Sequence, residues 1–135
     1  MEFFYKLDKE FHFALDACTT KNNPLGTEFF YTLEDDGLTK PWIDPTFCNP
    51  PYSRKNIVPW LKKAIEEQRR GVTSVLLLPS RTGTSWFFDY VYNKPDVEIR
   101  FVKGRLKFLD PEGKIPNTAP FDSLLAIFRP SQLLR

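Results

Sequence analysis

Asn49-Pro50-Pro51-Tyr52, directly after the apolar pair Phe47-Cys48, is the group of residues best suited to chemistry. An exocyclic amine or amide nitrogen is a poor nucleophile, because its lone pair is delocalised into the adjoining π-system. A site that alkylates such a nitrogen must draw its two N–H bonds into directed hydrogen bonds. The Asn49 side-chain carbonyl can accept one, and the backbone carbonyl of Pro50 can accept the other. The two prolines restrict the backbone that carries these acceptors, so little orientational freedom remains to be lost when a substrate arrives. Tyr52 then offers a face on which a planar base or amide can stack. This layout needs neither a metal nor a strong general base and fits methylation of an amino group. The other reading is a proline-stiffened turn after a strand, and with 12 prolines in 135 residues a Pro-Pro pair alone decides little.

Strands and helices must place these residues. Apolar positions Phe3, Phe4, Leu7 and Phe11 have helical spacing, and residues 13–17 form a first strand that carries the acid Asp16 at its end. Residues 29–32 are a second strand, and 46–48 deliver the motif. Asn56 is placed to cap a helix with Pro59 in its first turn and Gly71 as its stop, with Trp60, Leu61, Ala64 and Ile65 as the buried stripe. Lys62/Glu66 and Glu66/Arg70 form pairs on its wet side. Residues 72–78 are apolar throughout except Thr73 and Ser74, as in a central strand buried on both faces. A second helix over 84–92, a strand over 97–102, a loop over 110–120 and a last strand over 123–128 complete the pattern. Alternating strands and helices specify an α/β fold with a mostly parallel sheet and helices on both faces. Ligands bind beyond the C-terminal strand ends of such sheets, where both Asp16 and Asn49 fall. Capping of a following helix is the alternative role for Asp16.

The length fits one domain over residues 1–135, without a separate target-recognition domain. No stretch reaches the roughly 20 apolar residues of a membrane span, and the N-terminus lacks a signal-peptide layout, so a cytoplasmic protein is expected. Charge is unevenly placed: residues 1–50 hold 4 Lys/Arg and 9 Asp/Glu, residues 51–135 hold 15 and 8. That division suits a cationic small molecule on one side and a polyanion on the other, or simply a solvated surface. Cys18 and Cys48 lack metal-ligand spacing and read as small buried thiols without a disulfide. The single His12 reads as a solvent-facing strand residue, and no metal is expected.

Several runs carry a resemblance beyond the four-residue motif. They are Phe11-x-Phe13-x-Leu15-Asp16-x-Cys18, Phe30 to Thr32, Asp35-Asp36-Gly37-Leu38, Trp42, Trp60, Leu77-Leu78-Pro79-x-Arg81, Trp86-Phe87, Gly104-Arg105-x-x-Phe108 and Pro120-Phe121. With Asn49-Pro50-Pro51-Tyr52 between them, they resemble the phage-type, Dam-like DNA N6-adenine methyltransferases from about Leu7 to Phe128. The resemblance implies a compact Rossmann-like fold, S-adenosylmethionine as methyl donor and a flipped adenine of DNA as acceptor, in a host-cell cytoplasm if phage-encoded. It implies that Asn49 and Pro50 hold the amine, with Pro51 stiffening the turn and Tyr52 stacking on the base. It places Asp16, Ala17 and Cys18 at the methionine end of the donor, and Phe30, Asp36 and Leu38 at the adenosine end. Arg81 and Arg105 are candidates to grip DNA phosphate, or are ordinary surface cations. Asp35 and Asp36 also fit a plain turn before Gly37, while Trp60 and Trp86 fit helical core stripes. The chain departs from the pattern in lacking a Gly-rich loop after the first strand and a Thr-Pro-containing lead-in, so its donor side is minimal. Rival readings are a methyltransferase acting on an RNA base or a protein glutamine, and a turnover-deficient relative that only binds donor or DNA. With only short loops such as 110–120 to read bases, a short or relaxed target is expected.

Overall fold

The computed structural model describes residues 2–52, 54–109 and 116–131. Its centre is a six-stranded sheet built from β1 (Leu15–Asp16), β2 (Phe29–Phe30), β3 (Thr46–Cys48), β4 (Ser74–Pro79), β5 (Val97–Phe101) and β8 (Ser123–Phe128), in the order β2-β1-β3-β4-β8-β5. A hairpin of β6 (Lys107–Leu109) and β7 (Pro116–Thr118) forms a second, two-stranded sheet. The first four strands of the order pair in parallel, and β8 runs antiparallel to both β4 and β5. Five of the six strands therefore point the same way, a mostly parallel sheet made mixed by the single reversed strand β8. The excursion through β6 and β7 brings the chain back in the opposite direction. Because β8 is buried on both faces, its sequence Ser-Leu-Leu-Ala-Ile-Phe has the continuous apolar character of a buried parallel strand and conceals that reversal.

Helices cover both faces. Strand alternation sends Phe47, Val75, Leu77, Leu125 and Ile127 towards α1 (Glu2–Phe11), where Phe4 and Leu7 are buried beside Phe13. It sends Cys48, Leu76, Leu78, Leu124, Ala126 and Phe128 to the opposite core, with Ile57, Trp60, Leu61 and Ala64 of α2 (Arg54–Arg69). Trp60 and Trp86 both belong to this core. The Phe4, Phe13 and Phe47 rings meet at centroid distances of 5.1 to 5.5 Å, locking α1 onto the sheet.

Several local expectations need correction. The helix begins at Arg54, so Asn56 lies within it and is not its cap. Pro59 sits inside the helix, where it offers no N–H to the carbonyl four residues earlier. Gly71, at φ 96°, does provide the left-handed turn after the helix. The segment read as a second helix is mainly a π-helical turn, Phe87–Val91. His12 is exposed but ends α1 in a left-handed conformation, φ 56°, and is not in a strand. Its amide donates to the Asp8 carbonyl, and the Asp8 side chain accepts from the Phe13 amide.

The ion pairs of α2 use Glu67, not Glu66: its carboxylate accepts from Lys63 and Arg70 and from the Trp42 amide at 3.3 Å. Glu67 extends the Ile57, Trp60, Ala64 stripe by three residues, so a carboxylate faces the core. Burial works to raise its pKa, but Arg70, the Trp42 amide and Lys63 together hold it below the usual range. The Trp42 indole N–H in turn donates to the Gly37 carbonyl at 2.8 Å. The helix thereby fixes the loop that follows β2.

Candidate active site

The strand order places the C-terminal ends of β1, β2, β3, β4 and β5 and the start of β8 along one edge. The chain leaves β1 towards β2 on one side and returns to β3 on the other. The strand order thus reverses between β1 and β3, the place where parallel sheets open a ligand crevice. Asp16-Ala17-Cys18 emerge from one side of this opening and Asn49-Pro50-Pro51-Tyr52 from the other. The Ala17 amide donates to the Phe47 carbonyl at 2.9 Å, tying the two turns together.

Asp16 is 2% exposed. Its carboxylate accepts the Cys18 amide at the long distance of 3.4 Å and a bond from the Thr19 hydroxyl. Burial outweighs both and pushes its pKa up to about 7. No helix follows β1, so the helix-capping role for Asp16 does not arise. Cys48 is fully buried and Cys18 partly so, and neither forms a disulfide. Burial, followed by the Asp16 charge, pushes the Cys18 thiol up to about 11, and Cys48 is also raised, so both stay protonated at neutral pH.

On the β3 side Pro50 is buried, Pro51 exposed, and Asn49 and Tyr52 half-buried. The Tyr52 hydroxyl donates to Asn49 Oδ1. This bond identifies the oxygen end of the carboxamide and leaves it one further lone pair. Burial, before the nearby Cys48 and Cys18, keeps the phenol protonated far above its ordinary pKa. The Tyr52 ring forms an edge-to-face pair with Phe121, centroids 5.1 Å apart at 76°. Such a pair covers at most one face of the Tyr52 ring.

The acidic loop after β2 divides its labour. Asp35 Oδ2 accepts the Thr32 amide at 2.8 Å and the Thr32 hydroxyl at 3.0 Å, which lowers its pKa and makes it a turn-forming residue. Asp36 is exposed, at φ 59°, with Oδ1 accepting the Leu38 amide at 3.1 Å. Phe30 and Leu38 are half-buried, Leu38 against the α2-side core. Gly37 is a requirement of packing: a Cβ there would lie 2.2 Å from the Ala17 carbonyl oxygen and 3.1 Å from the Trp60 ring. Its closeness sets the acidic loop against the end of β1. The Asp-Gly-Leu run was visible as a landmark, but this contact was not.

Arg81 is brought to the motif, its guanidinium 5.7 Å from the centre of the Phe121 ring. Arg105 lies beside the same segment, in a loose 3.8 Å pair with Asp122. Both arginines are exposed. The sequence division of charge becomes a division across the sheet, with Asp16, Asp35 and Asp36 on the β1–β2 side and Arg81, Arg105 and Lys107 beyond β4. A cavity of about 500 Å³ opens at the opposite edge, lined by Glu10, Asp44, Glu98 and Arg129 among others. Glu10 and Glu98 pair with the neighbouring Arg100 and Glu98 also with Arg129, which fastens α1 to the sheet, and Asp44 accepts the Thr73 amide. The motif does not reach it. Among the described residues no cluster of His, Cys, Asp or Glu could hold a metal ion, and no helix is long and apolar enough to cross a membrane.

A family model described as DNA N-6-adenine-methyltransferase (Dam) matches residues 1–133. A protein of Escherichia phage T1 named DNA N-6-adenine-methyltransferase is 33% identical over 87 residues, 63% of this chain and 35% of that protein. One of Haemophilus phage HP1 with the same name is 30% identical over 122 residues, 87% of this chain and 68% of that protein. The chain's match thus spans about a third of the phage T1 relative and two thirds of the HP1 one. No solved structure gives a significant match.

Proposed function

The chain belongs to the DNA N-6-adenine-methyltransferase (Dam) family, and from that premise we propose that it transfers a methyl group from S-adenosylmethionine to the N6 amino group of adenine in DNA. The observation that carries the reading is the meeting of Asn49-Pro50-Pro51-Tyr52 with the buried Asp16 where the strand order reverses. The fold is read as a compact Rossmann-like methyltransferase unit, supported by the parallel β2-β1-β3-β4 half with helices on both faces and the reversal between β1 and β3.

The residues present fit the donor. Asp16 is a buried carboxylate whose bonds within the chain do not offset its desolvation, so a cationic amino group is the partner it lacks. Ala17 and Cys18 line the same turn. Asp36, with Leu38 and Phe30, offers an exposed carboxylate and apolar contact for the sugar and base of the donor. When bound, the donor supplies an electrophilic methyl group on a sulfonium.

The chain's own residues do the rest. A target adenine swung out of the duplex stacks on Tyr52. The free lone pair of Asn49 Oδ1 accepts one N6 hydrogen and the Pro50 carbonyl accepts the other, which makes the nitrogen more tetrahedral and aims its lone pair across the crevice. This nitrogen would take the methyl group from the sulfur of the donor held by Asp16 and Asp36, and the surplus proton on N6 would leave to solvent. Rate enhancement comes mainly from positioning and exclusion of water. Arg81 and Arg105 engage phosphates beside the site. Base reading falls to short segments at this edge; of the loop expected over 110–120, residues 110–115 lie outside the described residues and Pro116–Thr118 form β7.

Incubating DNA with tritiated donor and digesting it to nucleosides tests the reading. Label is expected on N6-methyladenine; label on cytosine, or only on RNA or protein offered in parallel, overturns it.

A further inference from the structure

Phe121 has no role in the scheme above, yet it is the residue that ties the site's parts together. Its ring packs edge-to-face on Tyr52, and the Arg81 guanidinium lies 5.7 Å from its centre. Its backbone segment is anchored too: the Ser80 amide donates to the Asp122 carbonyl at 2.8 Å, so the turn before β8 is fastened to the end of β4. Tyr52 has two torsions free to turn its ring, and the hydroxyl reaches Asn49 Oδ1 in only a narrow range of them. Without that bond the Asn49 carboxamide could rotate by half a turn and present its NH2 to the incoming amine, donor facing donor.

From this geometry we infer that Phe121 is a positioning residue: by fixing the Tyr52 ring it holds the Tyr52 hydroxyl on Asn49 Oδ1, and so sets which end of the Asn49 carboxamide meets the adenine amine. This rests on the function proposed above. Phe121 touches neither substrate nor donor in this role. It acts through Tyr52, and Tyr52 therefore has two tasks, stacking by its ring and orienting by its hydroxyl.

The test is a double-mutant cycle of Phe121→Ala and Tyr52→Phe, with kcat measured at saturating DNA and donor. Each single variant is expected to lose about tenfold in kcat, the scale of a lost edge-to-face contact in Phe121→Ala and of a lost hydrogen bond in Tyr52→Phe, with donor affinity unchanged. The double variant is expected to be no slower than the slower single variant, because both changes remove the same hydroxyl contact. In parallel, the side-chain amide signals of Asn49, assigned by their loss in Asn49→Ala, are followed by 15N NMR and are expected to move in both single variants. Full kcat in Phe121→Ala, losses that multiply in the double variant, or unmoved Asn49 signals each overturn the inference. If Phe121→Ala does not fold, Phe121→Tyr and Phe121→Leu decide: the ring-bearing variant is expected to keep the rate and the Asn49 signals, and equal behaviour of the two overturns the inference. If the wild type methylates no adenine, the function fails on its own account, while the NMR arm still decides whether Phe121 orients Asn49.

Discussion

Replacing Asp16 by Asn is expected to stabilise the fold above neutral pH while weakening the hold on the methyl donor. The Asp16 pKa rises from 3.8 to about 7 on folding, because burial penalises its charge. Between those two values the folded chain keeps a proton that the unfolded chain has released, so stability falls as pH rises through that window. At about 1.4 kcal/mol per pH unit, a difference of roughly three units gives an upper bound of about 4 kcal/mol above pH 7. Asn carries no charge to desolvate, so Asp16→Asn should be the more stable protein at about pH 8, and the gap should close towards about pH 4. Urea denaturation followed by tryptophan fluorescence suits the measurement, since Trp42, Trp60 and Trp86 are all buried. Titration calorimetry gives the other half. Wild-type affinity for S-adenosylmethionine should rise as pH approaches 7 and Asp16 ionises, whereas Asp16→Asn should bind weakly with the Asp16-linked rise gone. A stability difference that does not change with pH, or an unchanged donor affinity in the variant, would refute the reasoning.

Gly37→Ala must displace the Ala17 carbonyl or the Trp60 ring. It is expected to cost about 1 to 3 kcal/mol in denaturation and to weaken donor binding by calorimetry, a combination that a simple loop change would not produce. Arg81→Ala and Arg105→Ala should each lower the slope of log DNA affinity against log salt by about one, the signature of one lost phosphate contact. An unchanged slope removes that arginine from the DNA surface.

The parts legible in the sequence are those governed by local pattern. Strand 46–48 and strand 123–128 appear where their apolar runs lie, and the stripe of Trp60, Leu61 and Ala64 faces the core as its spacing requires. Asp16 and Asn49 share an edge because both end parallel strands. The direction of β8 was not legible, since a strand buried on both faces has the same composition whichever way it runs. Nor was the pairing of Phe121 with Tyr52, 69 residues apart, which depends on that reversal placing the start of β8 beside the end of β4. Glu67 was detectable in principle, as a carboxylate on the apolar stripe, but its Trp42 partner lies 25 residues away across the fold.

The central claim is that Asn49 clamps the amine that receives the methyl group. It is tested most directly by tritiated methyl incorporation into DNA by wild type and Asn49→Ala, with S-adenosylmethionine binding measured on the same preparations. Retained donor binding with incorporation into adenine reduced at least about a hundredfold is the expected result, on the scale of losing a group that positions the reacting atom. Equal incorporation by the two proteins would contradict the account.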